Sequence, residues 1–397
     1  METSRRKKLA GIILPIFLIT LCLPLTVFAS GAKWPSSLTI TTKSIGSTSH
    51  TTAAAWAPVM DKMTGMKVRV VPQSSTALQA RGLRDGQYDL WTESAFEYVL
   101  MMEGRKSLAT RQAGPFQLRV VWLGQMAYFV FFVRGDSPIK TVYDLKPGVR
   151  VGDWTVVPGF KFTLSSLLAW ANVKAEEAKF IPFSSLKATI QSVSDGKSDI
   201  TYCASTSPDV IEAASKPHGL RFIALDAAKD PEGAKRYLKI SPTHTFGKVE
   251  AGVKPALGTP TRATPWFISA RADLDAGLVY NTAKWLHENY DAYKDKHQNC
   301  RLMSMTLFRS MLDTSYLPLH EGTIKYLREI GMWTAADDKR QKYNVDLVDR
   351  YVKAYEAAIA EADQKKIKID PKNEEWMAVW KEHKKALPHF KVMLEIP

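Results

Sequence analysis

Serine, threonine and lysine side chains stand where apolar segments of this sequence give way to polar loops, and these residue types suit the binding of anions. Hydroxyl groups and the free N–H groups at a helix start hold carboxylates, and a lysine adds positive charge. The candidate ligand-binding residues of the N-terminal third are Lys43, Ser44, Ser47, Thr48, Ser49, Ser74, Ser75, Thr76 and Thr92. Those further along the chain are Trp154, Thr155, Lys161, Ser184, Ser185 and Tyr202, of which Trp154 would form an apolar wall. Each serine could instead be an ordinary helix cap.

The sequence contains no recognisable catalytic constellation. Asp195-Gly196-Lys197-Ser198 resembles the end of a phosphate-binding loop, but Gln191 stands where that loop needs glycine. Neither a Gly-x-Ser-x-Gly elbow nor a His-Glu-x-x-His zinc pattern occurs. We therefore expect a protein that is not an enzyme and that uses no cofactor and no metal.

An internal repeat indicates how the candidate residues are positioned. The segments at 72–75 and 85–90 recur 110 positions later, at 182–185 and 195–200, with Pro, two Ser, Asp-Gly and a final Asp in register. In each copy a strand ends at Pro, serines cap a helix, and Gly ends that helix before a new strand. The repeat predicts two β-α-β units.

Further apolar segments complete two α/β lobes. Strands at 38–41 and 149–151 precede the two units, and parallel central sheets follow from right-handed crossovers. An apolar strand from Met126 to Val133 leads to the turn 134–138, where the chain could cross between lobes, and the strand 264–270 would return. Ligands of open α/β sheets bind beyond the carboxyl ends of the strands, so a cleft between the lobes is expected.

The predicted domain organisation has four parts. Their limits are 1–29 for a signal peptide, 33–133 plus 264–332 for lobe I, 134–263 for lobe II and 333–397 for a C-terminal helical extension. Within the extension, apolar spacing predicts helices at 345–362 and 374–386, packed across the lobes.

The N-terminus has the order of a secretory signal. Four basic residues at 5–8 precede an apolar run, Leu9 to Phe28, and small residues from Ala29 to Ala32. Export by the Sec route to the periplasm is predicted, and a retained membrane anchor is the alternative. Cleavage after Ala29 would lower the formal net charge from +14 to +11. Because the basic residues are scattered among acidic ones, we expect a surface that favours organic anions and no nucleic-acid partner.

Two cysteines, Cys203 and Cys300, remain after such cleavage. An oxidising compartment would permit a disulfide, but the sequence leaves their pairing open.

At the residue level the sequence resembles the TAXI subfamily, the extracytoplasmic binding components of TRAP (tripartite ATP-independent periplasmic) transporters. The matching stretches are the Ser- and Gly-containing loop 43–49, the Ser-Ser helix start, and segments 85–90, 134–140 before 143–146, 270–275 and 319–331. Together they span about residues 38–332. The resemblance implies a two-lobed periplasmic-binding-protein fold, type II-like, with the ligand cleft between the lobes.

The resemblance also implies a monomeric carrier that takes a small organic anion (a carboxylate, 2-oxoacid or amino acid) to small and large TRAP membrane subunits. Three stretches depart from the family pattern where ligand would bind, namely 43–49, 77–78 and 154–161. Ligand identity is therefore not carried over. An ABC-importer binding protein, a secreted enzyme on the same lobes and a receptor-feeding sensory protein remain alternatives.

Overall fold

The computed structural model describes residues 34–392, apart from the side chains of residues 125 and 126. The predicted signal peptide lies outside the described residues. The strands are β1 (Ser37–Thr42), β2 (Lys67–Pro72), β3 (Leu90–Ser94), β4 (Leu118–Arg134), β5 (Arg150–Trp154), β6 (Lys179–Phe183), β7 (Thr201–Ala204), β8 (Leu220–Ile223), β9 (Thr245–Lys248) and β10 (Pro260–Arg271).

Helices connect and cover these strands. They are α1 (Thr48–Thr64), α2 (Thr76–Arg84), α3 (Ala95–Met102), α4 (Pro158–Trp170), α5 (Leu186–Ser194), α6 (Pro208–Ala214), α7 (Pro231–Ile240), α8 (Ala276–Glu288), α9 (Tyr290–Tyr293), α10 (Met305–Leu312), α11 (Glu321–Glu329), α12 (Ala335–Gln364) and α13 (Glu374–Lys384). The predicted α/β class is confirmed.

The two copies of the sequence repeat fold in the same way. β1 pairs in parallel with β2 and β3, and β5 pairs in parallel with β6 and, through Val151 and Ile200, with the segment that leads into β7. Gly86 and Gly196 end the intervening helices with φ of +74° and +70°, a conformation that favours glycine. The Asp-Gly of the repeat is therefore a helix-ending turn in both copies.

Two long strands, β4 and β10, connect the strands of the first β-α-β unit to β7 and β8. β10 pairs antiparallel with β3 and β4, and β4 pairs antiparallel with β7 and β8. The central sheet is therefore mixed, with the order β2-β1-β3-β10-β4-β7, and is not purely parallel as expected from the sequence. The long strands are antiparallel to the strands of both β-α-β units.

The buried apolar side chains form two cores, which define two lobes. The core of lobe I contains side chains from residues 38–123 and 267–390, and the core of lobe II contains side chains from residues 130–256. Within β4 the change from one core to the other falls between Leu123 and Val130. The sequence predicted that the chain crosses between the lobes at the turn 134–138. It did not show that the side chains of a single strand, β4, enter both cores. The domain limits themselves stay a prediction.

The C-terminal helices pack on lobe I. Trp376 donates its indole N–H to the carbonyl of Ala109, at 2.8 Å, and Tyr355 donates to the carbonyl of Thr110, at 2.9 Å. Their buried side chains belong to the core of lobe I. The sequence predicted instead that these helices pack across both lobes. α12 begins ten residues before the predicted start because Thr334 and Asp337 form a reciprocal capping box.

The two cysteines are free and buried. Cys300 belongs to the core of lobe I and Cys203 to that of lobe II, so the structure does not pair them. Among residues 34–392, no helix combines the length and the hydrophobicity that a membrane span requires.

Candidate functional site

A cavity lies between the two lobes and is here called the inter-lobe cavity. Its lining is formed by Lys43, Ser47, Thr48, Ser94, Phe96, Glu97, Phe129, Trp154, Val157, Gly159, Phe160, Thr163, Leu186, Tyr202, Cys203, His244, Arg262, Thr264 and Trp266. The centres of water-sized molecules have about 50 Å³ of space in it. That is room for roughly three or four waters, or for one compact polar group.

The structure brings some predicted residues together in this cavity and leaves others outside. The predicted residues that line it are Lys43, Ser47, Thr48, Trp154 and Tyr202. Lys43 directly follows β1, Trp154 ends β5, Tyr202 lies within β7, and Ser47 and Thr48 are at the start of α1. The carboxyl ends of the parallel strands β1 and β5 therefore reach the cavity, as expected for open α/β sheets.

The serines of the repeat lie away from the cavity. Ser75 and Ser185 cap α2 and α5, accepting hydrogen bonds from Leu78 N and Ala188 N at 3.3 and 3.2 Å. Ser74 and Ser184 are exposed. The reason is topological, since β2 and β6 are the outer strands of their sheets and the residues that follow them lie beside, not at, the strand ends that reach the cavity. The serines of the repeat are thus structural caps in this geometry.

Ser44, Ser49 and Thr76 support the cavity from behind its lining. Ser49 Oγ accepts from Lys43 N at 3.1 Å, and the carbonyl of Ser44 accepts from Ser47 N at 3.1 Å. The buried Thr76 donates its hydroxyl to the carboxylate of Glu97, which belongs to the lining. These contacts order the lining without reaching the space that a ligand would fill.

Thr92, Thr155 and Lys161 also lie outside the inter-lobe cavity. Thr92 lines a second, smaller cavity together with Trp56, Trp122 and Trp266. Thr155 is exposed and donates to the carbonyl of Phe183, at 3.2 Å. Lys161 is exposed, with its Nζ 4.7 Å from the ring centroid of Phe180. The predicted positive charge from lobe II is therefore not supplied by Lys161.

A buried ion pair supplies charge from lobe I. Lys43 Nζ lies 3.1 Å from Glu93 Oε1 on the neighbouring β3, and their side chains are 8% and 0% exposed. The same ammonium lies 5.9 and 5.6 Å from the ring centroids of Trp154 and Trp266. Burial raises the pKa of Glu93 to about 7, although the charge of Lys43 opposes this shift. Lys43 is thus held by Glu93 and is not a free anion anchor.

A second buried carboxylate joins the lobes. Glu97 of α3 accepts a hydrogen bond from the backbone N–H of Gly159, in the first turn of α4, at 2.7 Å. Its other oxygen accepts from Thr76 Oγ1 at 3.2 Å. Burial raises the pKa of Glu97, and the charge of Lys43 opposes that shift. A lobe I side chain therefore occupies a helix N-terminus of lobe II.

Arg262 of β10 is the cation that the sequence analysis missed. It is 3% exposed, and its guanidinium carbon lies 4.0 and 4.8 Å from the ring centroids of Phe129 and Tyr202. Its Nη1 donates to His244 Nε2 at 3.3 Å. Burial, and then the charge of Arg262, hold the pKa of His244 well below its ordinary value. The imidazole is therefore neutral, accepts at Nε2, and carries its proton at Nδ1, 3.1 Å from the hydroxyl of Tyr237.

Arg262 keeps unused donor capacity. Within residues 34–392 it has no ion pair with a carboxylate, and its Nε has no hydrogen-bond partner. Thr264 Oγ1 and Trp266 Nε1 are likewise buried without a partner in the described part of the chain. All three residues line the inter-lobe cavity from alternate positions of one strand. Buried donors without partners are costly, so this group is suited to an acceptor-rich ligand.

A sequence signal for Arg262 existed. The predicted return strand began at Thr264, and extending it by two residues would have placed a charged residue at an alternating, inward-facing position of an apolar strand. Glu93 and Glu97 follow the repeated Asp strand of the first copy, but nothing in their spacing distinguishes them from surface carboxylates.

The lining of the inter-lobe cavity offers hydrogen-bond donors, aromatic walls, the cations Lys43 and Arg262 and the carboxylate of Glu97. Among the described residues, no group of three or more His, Cys, Asp or Glu side chains is placed to hold a metal ion. The arrangement can therefore enclose and neutralise a small anion. It defines a two-lobed α/β protein with a largely apolar cavity between its lobes that contains a few charged and hydrogen-bonding side chains.

This chain belongs to the NMT1-like family, whose model matches residues 101–331, more than half of the chain. The finer resemblance to the TAXI subfamily stays a prediction. No curated protein sequence matches the chain.

Several solved structures are similar to this chain at low sequence identity. A structure of a periplasmic transporter is 14% identical and covers 85% of this chain and 100% of its own, with a TM-score of 0.45. The periplasmic aliphatic sulphonate-binding protein SsuA of Escherichia coli is 16% identical over 79% of this chain and 87% of its own, with a TM-score of 0.43. R. palustris Rpa4515 with adipate is 13% identical over 64% and 84%, with a TM-score of 0.45. At these values their ligands say nothing about the ligand of this chain.

Proposed function

We propose that this chain is the periplasmic solute-binding component of a transporter, and that it captures a small organic anion in the inter-lobe cavity and delivers it to membrane subunits. The observation that carries the proposal is Arg262. It is a buried guanidinium without a carboxylate partner in the described chain, and it faces an enclosed space beside the free donors of Thr264 and Trp266. An anion in that space would supply hydrogen-bond acceptors to all three groups.

Aromatic side chains favour an anion with an organic part. Phe129 and Trp266 stack with centroids 6.3 Å apart and an interplanar angle of 13°, and Phe160 stacks on Tyr202 at 4.1 Å. These rings line the cavity and offer apolar surface next to the guanidinium. A carboxylate or sulfonate with a short apolar tail satisfies both features.

Lobe closure is the mechanism that the fold favours. The lining comes from both lobes, so a bound anion would connect them and stabilise the closed arrangement. We propose that β4, whose side chains enter both cores, and β10, which pairs along it, act as the hinge of lobes with the limits 33–133 plus 264–332 and 134–263. Binding would make or break no covalent bond. The lining histidine, His244, is already engaged by Arg262 and Tyr237 and is not free to act as a base.

The transporter type follows only from the sequence resemblance. A TRAP-type secondary transporter agrees with the TAXI-like stretches, and an ABC importer is the second candidate. Genes for two TRAP membrane subunits next to the gene of this protein would support the first, and genes for a permease and an ATPase would support the second. Both alternatives place the protein in the periplasm as a carrier.

Isothermal titration of the mature protein with acetate, propionate and methanesulfonate tests the proposed binding. We expect the tightest-binding anion to lose about 100-fold in affinity on Arg262→Met, because hydrogen bonds to a buried charge are lost. Arg236→Met is the matched control. Arg236 is a partly buried arginine outside the cavity, and its donors bind the carbonyls of Ala169 and Trp170 at 2.9 and 2.6 Å.

Equal affinity of the Arg262→Met protein and the wild type for every anion would refute Arg262 as the anchor. Absence of any anion binding by the folded wild type would refute the proposed ligand class.

A further inference from the structure

The N-terminus of α4 lacks a cap from its own chain segment. Its N-cap residue is Val157, which has no side-chain acceptor, whereas α1 is capped by Ser47, whose Oγ accepts from His50 N at 3.3 Å. Free N–H groups at a helix start carry partial positive charge and bind anions. In lobe II this anion position is therefore left open by the local sequence.

Glu97 fills that position from the other lobe. Its carboxylate is buried, with the residue 2% exposed, and one oxygen lies 2.7 Å from the N–H of Gly159. The second oxygen is held by Thr76, so the group is oriented from both sides. A β-carbon on residue 159 would stand 2.2 Å from Glu97 Oε1. Glycine is thus required at 159 for the carboxylate to come this close.

The charges of the cavity lining divide into two satisfied groups and one unsatisfied group. Lys43 is paired with Glu93, and Glu97 is bound by the α4 N-terminus. Arg262 remains, with an unpartnered Nε. One negative charge on a ligand would balance it, and a second would meet the buried carboxylate of Glu97 in a space of about 50 Å³.

We infer that Glu97 takes the place that a second anionic group of a ligand would occupy, so that the inter-lobe cavity selects compact monoanions over dianions. This inference rests on the proposed function, since it concerns the ligand class of the same site. Glu97 acts as a specificity-determining residue. It closes the helix N-terminus of lobe II to ligand and leaves Arg262 as the single anion anchor.

Paired ligands test the inference. Titration of wild-type protein with propionate against malonate, and with butyrate against succinate, should show at least about a tenfold preference for each monocarboxylate. Glu97→Ala frees the Gly159 N–H and removes one carboxylate. It should shift the ratio of dicarboxylate to monocarboxylate affinity by at least about tenfold toward the dicarboxylate.

Glu97→Gln is the matched variant, because its amide oxygen can still accept from Gly159 N while the charge is lost. We expect it to keep the helix N-terminus closed and to shift the ratio less than Glu97→Ala does. Circular dichroism and thermal melting verify that each variant is folded. If Glu97→Ala does not fold, the wild-type ratio and Glu97→Gln still decide the question.

Two results would overturn the inference while leaving the proposed function intact. One is Arg262-dependent binding of dicarboxylates by the wild type at least as tight as that of the matched monocarboxylates. The other is an unchanged ratio in folded Glu97→Ala. Failure of the folded wild type to bind any of the anions would instead overturn the proposed function, and this inference with it.

Discussion

In lobe I the first strand of the repeat is held by Asp89, and in lobe II the corresponding strand is held by Asp199 in the same way. Asp89 Oδ2 accepts from Thr39 N at 2.7 Å, and Asp199 Oδ2 accepts from Arg150 N at 2.8 Å. In both copies the final Asp of the repeat therefore hydrogen-bonds to the backbone of the first strand of its unit, β1 or β5. The backbone plan of the two β-α-β units is the same down to single hydrogen bonds.

The side chains that face the cavity do not follow this symmetry. One step beyond the strand positions that pair with Pro72 and Pro182, lobe I has Lys43 and lobe II has Trp154. Both residues line the inter-lobe cavity. Equivalent places in the two lobes thus carry a charge in one and an aromatic ring in the other.

The partner of Lys43 shows the same difference. Glu93 pairs with Lys43 in lobe I, and the residue 110 positions later is Cys203, a buried neutral thiol. The repeat constrains the turns, caps and strand ends, while the cavity-facing positions vary independently of it. The fold can therefore be inherited from the repeat, but the ligand chemistry has to be determined from each lobe separately.

Breaking the ion pair of lobe I should give the largest effect. Lys43→Met leaves Glu93 buried without its partner and should lower the free energy of unfolding by about 3 kcal/mol at pH 8. The loss should be smaller at pH 6, where Glu93 holds a proton. Urea unfolding monitored by tryptophan fluorescence measures this at both pH values.

The double variant Lys43→Met/Glu93→Gln makes lobe I as neutral as lobe II at this place. It should recover most of the stability lost in the single variant, because no unpaired buried charge remains. A double variant no more stable than Lys43→Met at pH 8 would show that the ion pair is not what distinguishes the lobes energetically.

The titration of Glu93 should produce an intermediate effect. Its pKa is raised from 4.5 to about 7, so the folded protein binds this proton up to a higher pH than the unfolded chain does. The contribution of Glu93 to stability is therefore present at low pH and lost as pH rises through this window. We expect a loss of roughly 1–3 kcal/mol between pH 5 and 8 that is absent from Glu93→Gln.

Asp153 gives the matched measurement in lobe II. Burial raises its pKa from 3.8 to about 6, so Asp153→Asn should flatten the pH dependence at lower pH than Glu93→Gln does. Urea unfolding of both variants and of wild type at half-unit pH steps separates the two windows. An identical slope for wild type and Glu93→Gln between pH 6 and 7 would contradict the assignment.

The sequence predicted what the repeat constrains and missed what it does not. Helix caps and Asp-Gly turns depend on residues close in the chain, so the β-α-β units could be predicted from local pattern. Arg262 and His244 meet because β9 pairs with β10, and Glu97 reaches α4 across 62 positions. Local periodicity holds no information on such contacts. For the same reason Ser75 could be assigned to a helix start but not to the outer edge of the sheet.

The smallest expected effects concern the serine caps, where the lobes are equivalent. Ser75→Ala and Ser185→Ala should each lower the free energy of unfolding by about 1 kcal/mol, since each removes one helix N-cap. Neither should change anion affinity, because both serines stand at edge strands outside the cavity.

Ser47→Ala removes a cap of the same kind that does line the cavity, so it should cost similar stability and also weaken anion binding. Thermal melting and titration calorimetry on the three variants measure the two quantities. A drop in anion affinity for Ser75→Ala or Ser185→Ala as large as that for Ser47→Ala would restore the repeat serines as ligand contacts and move the binding site toward the sheet edges.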